Sequence, residues 1–207
     1  SFIYNMEKKI DVIFEDENIV VINKPYGLVV NKSNTYKGET LQDILYKKYH
    51  SCFDGVGDEE FVNRSGMVHR LDKDTSGVIV AAKNVDSFHF LQKQFKDRKT
   101  YKKYVALVHG EIEDEIVEIN APISRSPKNP LKMAVVSGGK TALTRIEKIK
   151  TANLGGHVYT LTDVFPKTGR THQIRVHFFA IQHPIAGDII YCAQNLLKID
   201  LKLFNRM

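Results

Sequence analysis

Of the six residues from His69 to Asp74, five carry polar or ionisable side chains: His69, Arg70, Asp72, Lys73 and Asp74. A carboxylate set among cations can act on a substrate, provided a cationic neighbour keeps it ionised once water is removed. The cluster runs through Thr75-Ser76-Gly77 into the apolar run Val78-Ile79-Val80-Ala81-Ala82. That order suits reactive groups held at the rim of a sheet, and it equally suits a solvated turn whose charges pair with one another. Asp72 and Asp74 together raise the chemistry of glycoside hydrolysis. That reaction needs two carboxyls about 5–10 Å apart flanking a sugar, and a basic chain suits a carbohydrate poorly.

A second dense cluster, Thr168 to His177, reads TGRTHQIRVH. Thr171 can cap a helix that puts Ile174, His177, Phe178 and Ile181 on one face and Arg175 and Phe179 on another, with Arg170 in the preceding turn. A helix start with arginines nearby attracts phosphate or carboxylate. Between the two clusters lies a basic run, Arg98-Lys99-Thr100-Tyr101-Lys102-Lys103-Tyr104. It offers phosphate contacts and aromatic stacking faces for a base, or else lysines in water beside half-buried tyrosines.

The elements that must position these groups follow from periodicity. Residues 10–14 and Ile19 to Ile22 read as two strands joined by an acidic turn. Lys24-Pro25-Tyr26-Gly27 breaks the second strand, and Leu28-Val29-Val30 resumes an extended segment. Thr40 can cap a helix with Leu41, Ile44, Leu45 and Tyr49 on one face, and 50–60 reads as a surface loop. Val85 to Arg98 reads as a helix capped by Asp86, with Phe88, Leu91 and Phe95 inward. A strand is expected from Tyr104 to Val108, and a hairpin region over the acidic stretch Glu111 to Glu118. Residues 124–130 form an irregular basic loop, Gly138-Gly139 a hairpin turn, and Val158 to Phe165 a strand. Asp74 reads as a turn-capping carboxylate and Leu71 and Val78 as core residues.

The chain has 207 residues, 43% hydrophobic and 26% charged, which places it among globular proteins. Its net charge of +6 and pI near 9.1 favour a polyanionic partner. Cys52 and Cys192 form no CxxC pair, so both read as ordinary side chains in a reducing cytoplasm. His50 with Cys52 lacks a second ligand pair, and His172, His177 and His183 lack the i, i+4 spacing of two ligands on one helical face, so no metal site is expected. No apolar stretch approaches the ~20 residues of a membrane span, and no secretory signal is seen. Ser1, in place of Met, reads as a processed or excised start.

Four ordered segments carry a resemblance. HRLDKDTSGVIVAAKN at 69–84 looks like the signature of the RluA-type pseudouridine synthases. VINKPYGLVV at 21–30, FKDRKTYKKYVALVHG at 95–110 and TGRTHQIRVHFFAIQHPIAGDIIY at 168–191 resemble that family's other motifs. The resemblance implies an α+β fold with a mixed, mostly antiparallel central sheet, flanking helices and a catalytic cleft. It implies one catalytic domain over 1–207, without the S4-type RNA-binding module that family members often carry. It implies isomerisation of uridine to pseudouridine in structured RNA, ribosomal rather than transfer RNA, with no cofactor, no metal and no membrane, in a cytoplasmic monomer. By the same resemblance Asp72 is the catalytic carboxylate and Arg175 its cationic partner. Arg70 helps displace the target nucleotide, and Tyr104 stacks on the uracil. The family's glycine after GDxxY is Cys192 here, and AQNLLKIDLKLFNRM stands where a histidine-bearing strand is expected, which reads as a truncated or diverged ending.

Overall fold

The computed structural model describes residues 10–204. The chain divides into two compact units, Ser1–Thr100 and Tyr101–Met207. The α+β class holds for both, with every described ladder antiparallel.

In the first unit β1 (Asp11–Glu15), β2 (Ile19–Lys24) and β3 (Gly77–Ala82) form a sheet with β2 in the middle. The β-branched run of β2 points Val20, Ile22 and Lys24 to one buried face, the period of two that a half-buried strand requires. Ile79 and Ala81 of β3 join them in a core completed by Leu41, Leu45, Phe61 and Phe88. Helix α1 (Leu41–Lys48) starts at Thr40 in a capping box, its hydroxyl accepting from the Asp43 amide while the Asp43 carboxylate accepts from the Thr40 amide. Leu28-Val29-Val30 joins no ladder; its backbone carbonyls at Val29 and Val30 instead accept from Leu41 and Gln42. The expected loop at 50–60 contains a short 3-10 turn (His50–Cys52) and the start of α2 (Glu59–Asn63), because Phe53 and Phe61 are needed in the core. Helix α3 (Val85–Lys96) is capped by Asn84, one residue outside it, and not by Asp86, which lies within its first turn.

In the second unit β4 (Tyr104–His109), β9 (His157–Pro166), β8 (Leu143–Leu154) and β5 (Ile116–Asn120) form a sheet in that order. The acidic stretch therefore does not close a local hairpin: β5 pairs with β8. A smaller sheet, β6 (Ile123–Arg125) with β7 (Met133–Val135), takes the first residues of the expected irregular loop. Gly138-Gly139 does turn the chain, so that Lys140 bridges back to Ile123. Helix α4 (Gln173–Ala180) packs Val176, His177 and Phe178 inward. Helix α5 (Gln194–Phe204) forms from the tail that does not resemble the family's histidine-bearing strand, anchored by buried Leu197 and Asp200.

Candidate active site

The loop bearing Asp72 is fixed at both ends by backbone and ring contacts. At its start Gly66 (φ +71) lies so close to β3 that a Cβ there would sit 1.9 Å from the Ala82 carbonyl oxygen, so only glycine fits. Met67 bridges to Ala81, and His69 Nε2 accepts from the Val80 amide at 3.0 Å while its ring stacks on Phe95 at 4.5 Å. His69 is thus an anchor. Arg70 is exposed, Leu71 is buried as expected, and Asp72 is half-buried, its carbonyl accepting from the Thr75 amide at 3.1 Å. Among the described residues no hydrogen bond to the Asp74 carboxylate caps this turn; the exposed Asp74 acts through its charge. Val78, expected in the core, is 62% exposed, because β3 turns Ile79 inward and the alternation puts Val78 outside.

A residue that the sequence reading passed over braces this loop. Lys24 is fully buried, and its ammonium donates to the carbonyls of Pro25 at 2.9 Å, Leu28 at 2.9 Å and Lys73 at 3.0 Å. Burial pulls its pKa down to about 8, against the opposing charges of Asp74 and Asp72. The amide of Gly27 adds a further bond to the Lys73 carbonyl at 3.0 Å. The signal lay in the alternation: a lysine third on the inward face after Val20 and Ile22 must either leave the sheet or find acceptors inside it.

In the second unit Tyr104 opens β4 opposite Val164, half-buried against the core. Helix α4 is entered through His172 in the left-handed region (φ 54), so His172 and not Thr171 stands at its N-cap, with no side-chain cap bond. Gln173 does the stapling instead. Its carbonyl oxygen accepts from the Thr168 hydroxyl at 2.6 Å and the Arg170 amide at 3.0 Å, and its amide donates to the Leu143 carbonyl and the Thr144 hydroxyl. Arg170 donates to the Thr141 carbonyl at 2.9 Å.

Arg175 is held by a carboxylate of its own unit. Its Nε and Nη2 donate to the two oxygens of Asp188 at 2.7 and 2.8 Å, and its guanidinium carbon lies 5.1 Å from the centre of the Tyr191 ring. Phe179 leans on the same ring, so the two residues expected to share a helix face do so. Burial pushes the Asp188 carboxyl upward, but the Arg175 guanidinium and the Ile190 and Tyr191 amides outweigh it and hold it below the usual carboxylate range. Asp188 and Tyr191 belong to the GDIIY segment and were not singled out from sequence; a carboxylate between glycine and two isoleucines was the available sign.

The three histidines considered for a metal go to separate places. His172 Nδ1 meets the Tyr191 hydroxyl, His177 meets Thr144 and the Ala121 carbonyl, and His183 meets the His109 carbonyl. Among the described residues the one group with metal-ligand chemistry is His109, Cys192 and Asp200, whose ligand atoms lie within 4.8 Å of one another. Asp200 is already engaged, by Tyr159 Oη at 2.7 Å, the Gly187 amide at 2.8 Å and His109 Nε2 at 2.9 Å. Burial, with the charges of Asp200 and Asp188, raises the Cys192 thiol to about 11, which disfavours the thiolate a metal would require. The group anchors α5 to the sheet.

The family model for RNA pseudouridylate synthase matches residues 18–180, and the chain belongs to that family. Among curated proteins it is 40% identical to ribosomal large subunit pseudouridine synthase D of Borreliella burgdorferi, over 94% of this chain and 59% of that protein. It is 44% identical to an uncharacterized RNA pseudouridine synthase of Aquifex aeolicus, over 88% of this chain and 56% of the other. The chain thus spans little more than half the length of these relatives. Of solved structures, human RNA pseudouridylate synthase domain containing 1 superposes with a TM-score of 0.72 at 27% identity, covering 90% of this chain and 71% of that one. Human RNA pseudouridylate synthase domain containing 4 gives 0.66 at 28%, covering 90% and 70%.

Proposed function

We propose that this chain isomerises uridine to pseudouridine in RNA, with large-subunit ribosomal RNA as substrate. The observation that carries the reading is the family match over 18–180, which takes in Arg70, Asp72, Tyr104 and Arg175 together. The substrate class is that named for the Borreliella burgdorferi relative. In the reaction the N1–C1′ bond breaks, the uracil turns, and C5 bonds to C1′; the proton lost from C5 is balanced by one gained at N1. Asp72 is the carboxylate that acts on the nucleotide. Tyr104 stacks on the uracil and assists loss of the C5 proton. Arg175 supplies the fixed positive charge that favours an ionised carboxylate, and Asp188 holds its guanidinium. Arg70, exposed on the same loop as Asp72, helps displace the target nucleotide from its stack.

No metal or cofactor enters this reading. We also place the protein in the cytoplasm as a monomer; among the described residues no helix is long and apolar enough to cross a membrane. The test is conversion of an unmodified large-subunit ribosomal RNA transcript by the purified chain, with pseudouridine mapped site by site. Conversion at a defined uridine is expected. RNA binding without conversion would make the chain a lapsed enzyme, and conversion of transfer RNA alone would move the substrate.

A further inference from the structure

One part of the first unit is built more rigidly than a surface turn requires. The turn Pro25-Tyr26-Gly27 leaves β2 just where β3 begins, since Lys24 pairs with Gly77. Gly27 takes φ +79 there, and its amide bonds to the Lys73 carbonyl at 3.0 Å. Beneath the turn lies the Lys24 ammonium, saturated by three carbonyls, two of them from Pro25 and Lys73. Burying an ammonium is unfavourable unless its donors are met, and here they are met only by locking the turn to the loop that carries Asp72. On top of this fixed turn the Tyr26 side chain is left 72% exposed. Lys73, next in sequence to Asp72, is exposed as well.

An exposed aromatic ring on a turn whose backbone is bonded to that of an exposed lysine has the composition of a nucleotide-binding site. A base stacks on the ring whatever its identity, and the ammonium meets the phosphate that joins it to its neighbour. An enzyme that takes one nucleotide out of its stack must also hold the adjoining nucleotides, which lose a stacking partner at that moment.

We propose that Tyr26 and Lys73 form a subsite for an unpaired nucleotide adjoining the target uridine, the ring stacking on its base and the ammonium contacting its phosphate. The subsite rests on the pseudouridine synthase reading for what it serves, and on its own geometry for what it binds. It tolerates any base, so it strengthens RNA binding without setting sequence preference.

The experiment compares wild type, Tyr26→Phe, Tyr26→Ala and Lys73→Met, all substitutions at exposed side chains. Steady-state conversion of the ribosomal transcript is measured alongside fluorescence of a single-stranded RNA carrying 2-aminopurine. Tyr26→Ala is expected to raise KM about tenfold, equivalent to about 1.4 kcal/mol, with kcat within about threefold. Tyr26→Phe keeps the wild-type KM, and 2-aminopurine quenching is lost only in Tyr26→Ala. Lys73→Met lowers the salt dependence of binding, as loss of one phosphate contact requires. Unchanged KM in Tyr26→Ala, or quenching that survives it, overturns the subsite. If the wild type converts no uridine, the functional reading fails, and the quenching comparison still decides the subsite.

Discussion

In the first unit a cation, Lys24, is buried among neutral carbonyls, whereas in the second a cation, Arg175, meets the buried carboxylate of Asp188 through two hydrogen bonds. The first arrangement leaves the charge of Lys24 offset only at a distance, by Asp72 and Asp74, and its pKa falls accordingly. The second offsets the charge in direct contact, and the Asp188 carboxyl stays below its usual range despite burial. Each suits what it holds. Lys24 gathers backbone, so it fixes the path of a loop; Asp188 grips one side chain at two points, so it fixes the plane of a guanidinium. A loop that must present a carboxylate gains from a brace that leaves the carboxylate out of its bonds.

Substitution can pull the two arrangements apart. Asp188→Ala removes two charge-assisted hydrogen bonds from the half-buried Arg175 guanidinium and should cost about 3 kcal/mol of stability, read by chemical denaturation. Asp188→Ala combined with Arg175→Met should cost less than the two single changes summed, because both remove the same pair of bonds; full additivity would refute direct pairing. Lys24→Met, similar in shape, leaves the Pro25 and Leu28 carbonyls short of a donor, while the Lys73 carbonyl keeps the Gly27 amide, and should cost about 3 kcal/mol at ~1–3 kcal/mol for each unsatisfied group. No second substitution at Asp72 or Asp74 should rescue it, since neither carboxylate is bonded to the ammonium.

A smaller effect concerns acid. Burial lowers the pKa of His177, which bonds Thr144 and the Ala121 carbonyl from the interior of the second unit. The unfolded chain therefore takes up a proton near pH ~6.5 that the folded chain refuses. The stability is present above that pH and is lost as pH falls below it, by up to about 1.4 kcal/mol per unit. Denaturation across pH 7 to 5 should show a steeper loss in wild type than in His177→Gln. Smallest of all, Thr40→Ala removes the α1 cap and should cost about 1 kcal/mol, with RNA conversion unchanged at a temperature where the variant is folded.

What could be read from the sequence was what period and capping determine locally. Strands β1, β2 and β9 and helices α1 and α3 show clear alternation or helical spacing, and Thr40 stands where its capping box needs it. Strand β8 escaped notice because its inward positions include the buried polar Thr144, and a bulge between Lys148 and Lys150 breaks its alternation. The cap of α4 was misplaced by one residue because His172 adopts a left-handed backbone that few side chains favour. Asp72 and Arg175 stood out by charge density, but their supports did not. Lys24 looks like a strand's polar end until its three carbonyls are seen, and Asp188 reaches Arg175 across 13 positions. Asp200, in a segment resembling no family motif, acquires meaning only from His109 and Tyr159, far away in sequence.

The assignment of Asp72 as the catalyst is central. The most direct measurement compares wild type with Asp72→Asn on an unmodified large-subunit ribosomal RNA transcript, mapping pseudouridine and measuring RNA affinity on the same samples. A catalytic Asp72 requires conversion at a defined uridine by wild type and none by Asp72→Asn, with affinity preserved. Conversion that persists in Asp72→Asn would contradict it.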